Sequence, residues 1–170
     1  MDLLFINDRP GEYPASYYAA SAAPAPTRPA LKGKLSCDVC VIGGGYTGLS
    51  AALHLAQKGY DTILVEAQRV GFGASGRNGG QVGSGQRVDP DDLEGMVGKT
   101  RARALWDLAE ESKTLVRSLI RDHEIACGYT KGVLHTELRR KNLGHIKAHV
   151  EKVQKEYGYK DIAYWDREQV

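Results

Sequence analysis

A short apolar run opening directly onto three spaced glycines constrains the fold of this chain more than any other feature. Val39, Val41 and Ile42 are β-branched and suit a buried parallel strand. Gly43, Gly45 and Gly48 follow in a G-x-G-x-x-G pattern. Gly43 permits a sharp turn from strand to helix, Gly45 lets the backbone approach a pyrophosphate, and Gly48 lets the new helix pack closely on the strand. The helix start, at Tyr46 and Thr47, offers N–H groups and a partial positive charge to phosphates. Leu49, Ala52, Leu53 and Ala56 recur at helical spacing, Gly59 reads as the helix stop, and residues 62–65 read as a second buried strand. Glu66 ends that strand 23 positions after Gly43, near the ~20 expected between this fingerprint and its acidic residue. A carboxylate there accepts hydrogen bonds from ribose hydroxyls and repels a 2′-phosphate, which argues against NADP. The expected fold class is α/β, a Rossmann-like βαβ unit that binds a dinucleotide.

A second glycine-rich signal follows. Gly71, Gly73, Gly76, Gly79, Gly80, Gly83 and Gly85 fall within residues 71–85, with Arg77 and Asn78 among them. Repeated glycines bare backbone N–H groups and let a flat ligand lie against the main chain. By composition alone the segment also reads as a flexible surface loop.

Taken together, Gly43-Gly44-Gly45-Tyr46-Thr47-Gly48-Leu49 and Val70-Gly71-Phe72-Gly73-Ala74-Ser75-Gly76-Arg77-Asn78-Gly79-Gly80-Gln81 resemble the D-amino-acid oxidase superfamily of FAD-dependent oxidoreductases. Within that superfamily the chain is similar to the gamma-glutamylputrescine oxidoreductases of bacterial putrescine breakdown, a likeness that extends to residues 16–21 and 28–31. The resemblance implies FAD rather than NAD. It implies that Gly43, Gly45, Tyr46, Thr47 and Gly48 surround the pyrophosphate and that Glu66, with Ala67 beside it, holds the adenosine ribose. It also implies that Ala74 and Ser75 contact the diphosphate or ribityl region, and that Arg77, Asn78, Gly79, Gly80, Gln81 and Val82 run beside the isoalloxazine ring. The implied reaction is oxidation of a small-molecule amine, with O2 reduced to hydrogen peroxide. Oxidases of sarcosine, glycine or D-amino acids carry similar loops and stay open as alternatives. So do an NAD-linked dehydrogenase and a non-catalytic FAD-binding fragment. No residue reads as the catalytic base.

Enzymes of this family are much longer than 170 residues. Their strand-rich substrate domain and a later FAD-binding glycine segment are not visible here, so the expected partner is the missing C-terminal half of the same enzyme, and the piece alone is expected to be inactive. The expected organisation is an extended arm over residues 1–36, the βαβ unit and flavin loop over 37–88, and a helical segment with the incomplete start of an α+β substrate domain over 89–170. Tyr13, Tyr17 and Tyr18 are candidates to dock the arm. Asp89 and Pro90 read as the cap and first turn of a long helix whose apolar face is Leu105, Leu108, Ala109, Ser112, Leu115, Val116 and Leu119, with Trp106 packing beside it. Residues 132–136 read as a short strand. A helix over 141–157 carries the stripe Leu143, Ile146, Val150, Val153 and Tyr157, and another helix starts at Asp166.

The net charge of +2 makes no case for nucleic acid or an acidic membrane surface. No apolar run approaches the ~20 residues of a membrane span, and the amino terminus lacks a secretion signal's basic start and apolar core, so the default compartment is the cytoplasm. Cys37, Cys40 and Cys127 read as buried structural thiols: Cys37 and Cys40 form a C-x-x-C, but Cys40 lies inside a strand and no second pair exists for zinc. His145 and His149, four apart on one helix, lack the following Glu of a metalloprotease and read as a solvated face, with no metal expected.

Overall fold

In the first of two compact units, residues 1–80, strand β1 (Val39–Ile42) leads into helix α2 (Tyr46–Gln57) and then into strand β2 (Thr62–Val65). The computed structural model describes residues 6, 9, 11–23 and 26–170. The strands pair in parallel, from Val39 with Thr62 to Ile42 with Val65, and the Gly43 N–H adds one more bond to the Val65 carbonyl at 2.8 Å. Helix α2 packs on both strands. It ends where Gly59, at φ +88°, adopts the left-handed conformation that turns the chain toward β2. The result is a mixed α/β unit with a small parallel sheet.

Parallel sheets ordinarily bury both faces. Here α2 covers one, while on the other Cys40 is exposed and Ile42 is 86% exposed. The cysteines therefore depart from expectation: Cys40 and Cys127 are exposed and Cys37 is half-buried, all as free thiols. Cys40 alternates with the inward Val39 and Val41, so strand geometry alone turns it outward.

The arm is not wholly extended. Ser16 accepts from the Ala19 N–H and caps a one-turn helix, α1 (Tyr17–Ser21). Tyr13 docks it: its hydroxyl donates to the Val70 carbonyl at 2.7 Å, and Arg69 lies 4.7 Å over its ring. Tyr17 and Tyr18 are exposed. Residues 1–5, 7, 8, 10, 24 and 25 of the expected arm lie outside the described residues.

The second unit, residues 81–170, contains helices α3 (Pro90–Val97), α4 (Lys99–Asp122) and α5 (Leu143–Glu156) and no strand. The expected single helix after Asp89 is two, because Gly98 takes φ +82° between them. Asp89 does cap α3, accepting from the Asp91 N–H at 3.1 Å. The buried face of α4 is Ala102, Trp106, Ala109 and Lys113: Ala109 of the expected stripe is buried and Trp106 packs as expected, whereas Leu108, Leu115 and Val116 of that stripe are exposed. The choice is tertiary: Trp106 packs on Val153 and Tyr157, with ring centroids 4.8 Å apart for the two aromatics. The α5 stripe is as the spacing predicts, with Val153 and Tyr157 fully inward. Residues 132–136 form no strand, since none of the described residues pairs with them, and Asp166 caps a single turn through the Glu168 and Gln169 N–H groups instead of starting a helix. Among the described residues no helix is long and apolar enough to cross a membrane.

Between α3 and α5, Lys152 bridges Asp91 and Glu94, and the Tyr157 hydroxyl donates to Glu94 at 2.7 Å. That bond, and next the one from Lys152, holds the Glu94 carboxyl below its ordinary 4.5. Burial, and next Glu94, pushes Tyr157 up to about 12. A depressed carboxyl stabilises the fold above pH 4.5 and loses that contribution as pH falls through the lowered value. A raised phenol contributes fully below pH 10 and loses it as pH climbs through about 12. Thermal melts across pH are expected to show a flatter acid arm in Glu94→Gln and a flatter alkaline arm in Tyr157→Phe.

His149 Nδ1 and His145 Nε2 face the Asp89 carboxylate at 3.4 and 3.9 Å, so the pair meets the α3 cap rather than solvent alone. Among the described residues no group of three or more His, Cys, Asp or Glu is arranged to hold a metal ion.

Candidate nucleotide-binding site

The turn from β1 to α2 is built so that only glycine fits it. Gly43 takes φ +103°, a conformation that side chains rarely tolerate. A Cβ on Gly48 would stand 1.9 Å from the Gly43 carbonyl oxygen and 3.4 Å from Val41 Cγ1, so the helix lies directly on the strand it left. Helix α2 begins at Gly45, which has no side chain to cap it, leaving its first amides to find partners elsewhere.

The chain after β2 supplies one partner for the helix start and another for the turn that precedes it. The Ser75 hydroxyl accepts from the Tyr46 N–H at 3.0 Å, and a Cβ on Gly45 would meet that hydroxyl at 2.9 Å. Glu66 Oε2 accepts from the Gly44 N–H at 2.6 Å, and its Oε1 accepts from the Gln68 N–H at 2.9 Å. Glu66 therefore lies at the mouth of the glycine turn, where a carboxylate with spare lone pairs can meet a sugar's hydroxyls. The Gly71 N–H donates to the Gly44 carbonyl at 2.9 Å and closes the second glycine segment onto the first.

The first part of that second segment, residues 71–80, folds into turns tied by its own backbone and side chains. A 3-10 turn spans Ala74–Gly76, and a Cβ on Gly76 would stand 2.1 Å from the Gly71 carbonyl oxygen. Arg77 stays exposed but folds back on the segment: its Nε donates to the Phe72 carbonyl at 2.9 Å and its guanidinium lies 4.8 Å over the buried Phe72 ring. The Asn78 amide donates to the Ala74 and Ser75 carbonyls and accepts from the Gly80 N–H. Both side chains thus hold the turn in shape.

The structure brings Gly43, Gly45, Tyr46, Gly48, Glu66 and Ser75 together. Thr47, Ala67, Ala74, Gly79 and Gly80 lie exposed near them in sequence, and Gln81 and Val82 belong to the second unit. Spacing assigns Gly44, Gly71 and Phe72 no role, yet their backbone groups join the two motifs and anchor Arg77. The double glycine before Gly45 is the signal that marks Gly44.

These residues fit a dinucleotide. The helix start is bared of side chains, a Cβ at Gly45 would crowd the cradle, the bare Gly48 lets α2 rest on β1, and an acceptor stands at the rim.

Comparison with known proteins agrees. The family model for FAD-dependent oxidoreductases, DAO, matches residues 38–170. Gamma-glutamylputrescine oxidoreductase of Escherichia coli is 42% identical over 155 residues, covering 91% of this chain and 36% of that protein. A probable oxidoreductase, OrdL, of Rhizobium meliloti is 41% identical over 154 residues, again 91% of this chain and 36% of its own length. The OrdL protein of Haemophilus influenzae, also a probable oxidoreductase, is 36% identical over 156 residues, 92% of this chain and 36% of its own length. No solved structure gives a significant match. The chain spans about a third of the length of these three relatives. It belongs to the DAO family of FAD-dependent oxidoreductases.

Proposed function

We propose that this chain is the FAD-binding portion of an oxidoreductase acting on an amine like gamma-glutamylputrescine. One observation carries the reading: two glycine turns, joined through Ser75 to Tyr46 and through Gly44 to both Glu66 and Gly71, make one bared cradle with a carboxylate at its edge. The 42% identity to a gamma-glutamylputrescine oxidoreductase supports the choice of substrate.

In this reading the amides at Gly43, Gly45, Tyr46, Thr47 and Gly48 hold the diphosphate. Glu66 accepts from the adenosine ribose hydroxyls, with Ala67 alongside. Ala74 and Ser75 bind the diphosphate or ribityl chain, the Ser75 hydroxyl turning from acceptor to donor when an anion is present. Arg77, Asn78, Gly79, Gly80, Gln81 and Val82 line the ring. When bound, FAD supplies a two-electron acceptor: the amine becomes an imine, water hydrolyses the imine to an aldehyde, and O2 takes up the electron pair as hydrogen peroxide. The segment that completes the substrate chamber and excludes water is the C-terminal part corresponding to the rest of the longer relatives.

The test uses the FAD-loaded protein joined to that remaining part. Gamma-glutamylputrescine, sarcosine, glycine and a D-amino acid are added without oxygen, and loss of the flavin's visible absorption is followed. The expected result is fastest loss with gamma-glutamylputrescine, and peroxide release when air is admitted. Faster loss with another of the four would replace the substrate, and no loss with any would remove the amine reading.

A further inference from the structure

Lys113 is 5% exposed, and no step above uses it. Lysine is rarely this buried unless paired. Here its ammonium donates to three acceptors: the Ser84 hydroxyl, Glu110 Oε2 at 2.6 Å and the Tyr159 hydroxyl at 3.4 Å. It also lies 4.5 Å over the Tyr159 ring. Three N–H donors meet three acceptors, so the group has one orientation. A buried ion pair adds little net stability compared with apolar packing, and fixing geometry is the use such groups serve best.

What Lys113 fixes is the exit of the glycine-rich segment. Three consecutive residues dock on α4. Ser84 meets Lys113; Gly85, at φ +72°, lies flat on Trp106, where a Cβ would come within 2.8 Å of the ring; and the Gln86 amide donates to the Leu105 carbonyl at 2.7 Å. Gln81 and Val82 come just before this clamp, separated from Ser84 by Gly83 alone.

We propose that Lys113 is a positioning residue for the flavin segment, acting through Ser84 to fix on α4 the point from which Val82 and Gln81 depart. The proposal rests on the assignment of Gln81 and Val82 to the ring. Glu110 and Tyr159 hold the ammonium, and the ammonium holds the loop.

Two variants test it, Ser84→Ala, which removes only the loop's side of the contact, and Lys113→Met, which keeps an unbranched stem in the core. Without FAD, limited trypsin digestion reads the clamp directly, because cleavage follows the population of the locally opened state. Cleavage after the exposed Arg87 should quicken roughly tenfold in both variants, the scale of losing one charged hydrogen bond, while cleavage after Arg101 and Arg103 within α4 stays unchanged. With FAD at saturation, the visible circular dichroism of the flavin should change in Ser84→Ala although the protein's far-ultraviolet spectrum does not. Unchanged cleavage after Arg87 in Ser84→Ala overturns the clamp. Quickened cleavage with an unaltered flavin spectrum overturns the positioning role. Wild-type protein that is folded yet takes up no FAD overturns the nucleotide reading, and with it the positioning role, while the digestion still judges the clamp.

Discussion

Gly48→Ala is expected to abolish FAD binding and to destabilise the first unit. Its Cβ would sit 1.9 Å from the Gly43 carbonyl oxygen, a backbone atom that cannot swing aside. Relief requires α2 to lift from β1, and that lift moves the Gly45 and Tyr46 amides together. Overpacking of this kind costs ~1–3 kcal/mol or more. The upper end applies here because the obstacle is a main-chain atom, which cannot rotate away as a side chain can. The check is a thermal melt by circular dichroism together with an FAD titration. Gly45→Ala is the useful contrast. Its Cβ meets the Ser75 hydroxyl at 2.9 Å, the end of a side chain that can rotate. The protein should then keep most of its stability and lose chiefly its grip on the diphosphate.

The second large effect is expected at Glu66. Its carboxylate already accepts from the Gly44 and Gln68 N–H groups, which hold it at the rim of the glycine turn. Hydrogen bonds to a charged group contribute ~1.5–3 kcal/mol, so Glu66→Ala should weaken FAD roughly 10- to 100-fold. Glu66→Gln keeps an acceptor but loses the charge and should weaken it less, by about tenfold on the same scale. Isothermal titration of both variants against wild type checks the ranking. Equal affinity for all three would detach Glu66 from the ribose.

The features legible in the sequence are those set within a few residues of one another. The β1 strand, the glycine turn, α2 with its Gly59 stop, β2 and Glu66 follow from local spacing, and so do the Asp89 cap and the α5 stripe. The features that sequence missed depend on distant partners. The face of α4 that is buried was chosen by Val153 and Tyr157, more than forty positions away, and these prefer the side bearing Trp106 and Lys113 to the more uniformly apolar side bearing Leu108 and Leu115. Residues 132–136 have a strand's composition but no neighbour among the described residues to pair with. Cys40 has a core residue's chemistry but points to the sheet face that α2 does not cover. At the site, spacing found Glu66 and the family resemblance pointed to Ser75, but neither showed that they meet Gly44 and Tyr46, because those contacts cross 22 and 29 positions of chain.

The most direct test of the central claim is an equilibrium titration of the purified, demonstrably helical chain with FAD and, in parallel, with NADH, followed by nucleotide fluorescence. The account predicts saturable binding of one FAD per chain, no comparable binding of NADH, and loss of the FAD signal in Gly48→Ala. A folded wild-type chain that ignores FAD, or that prefers NADH, would contradict it.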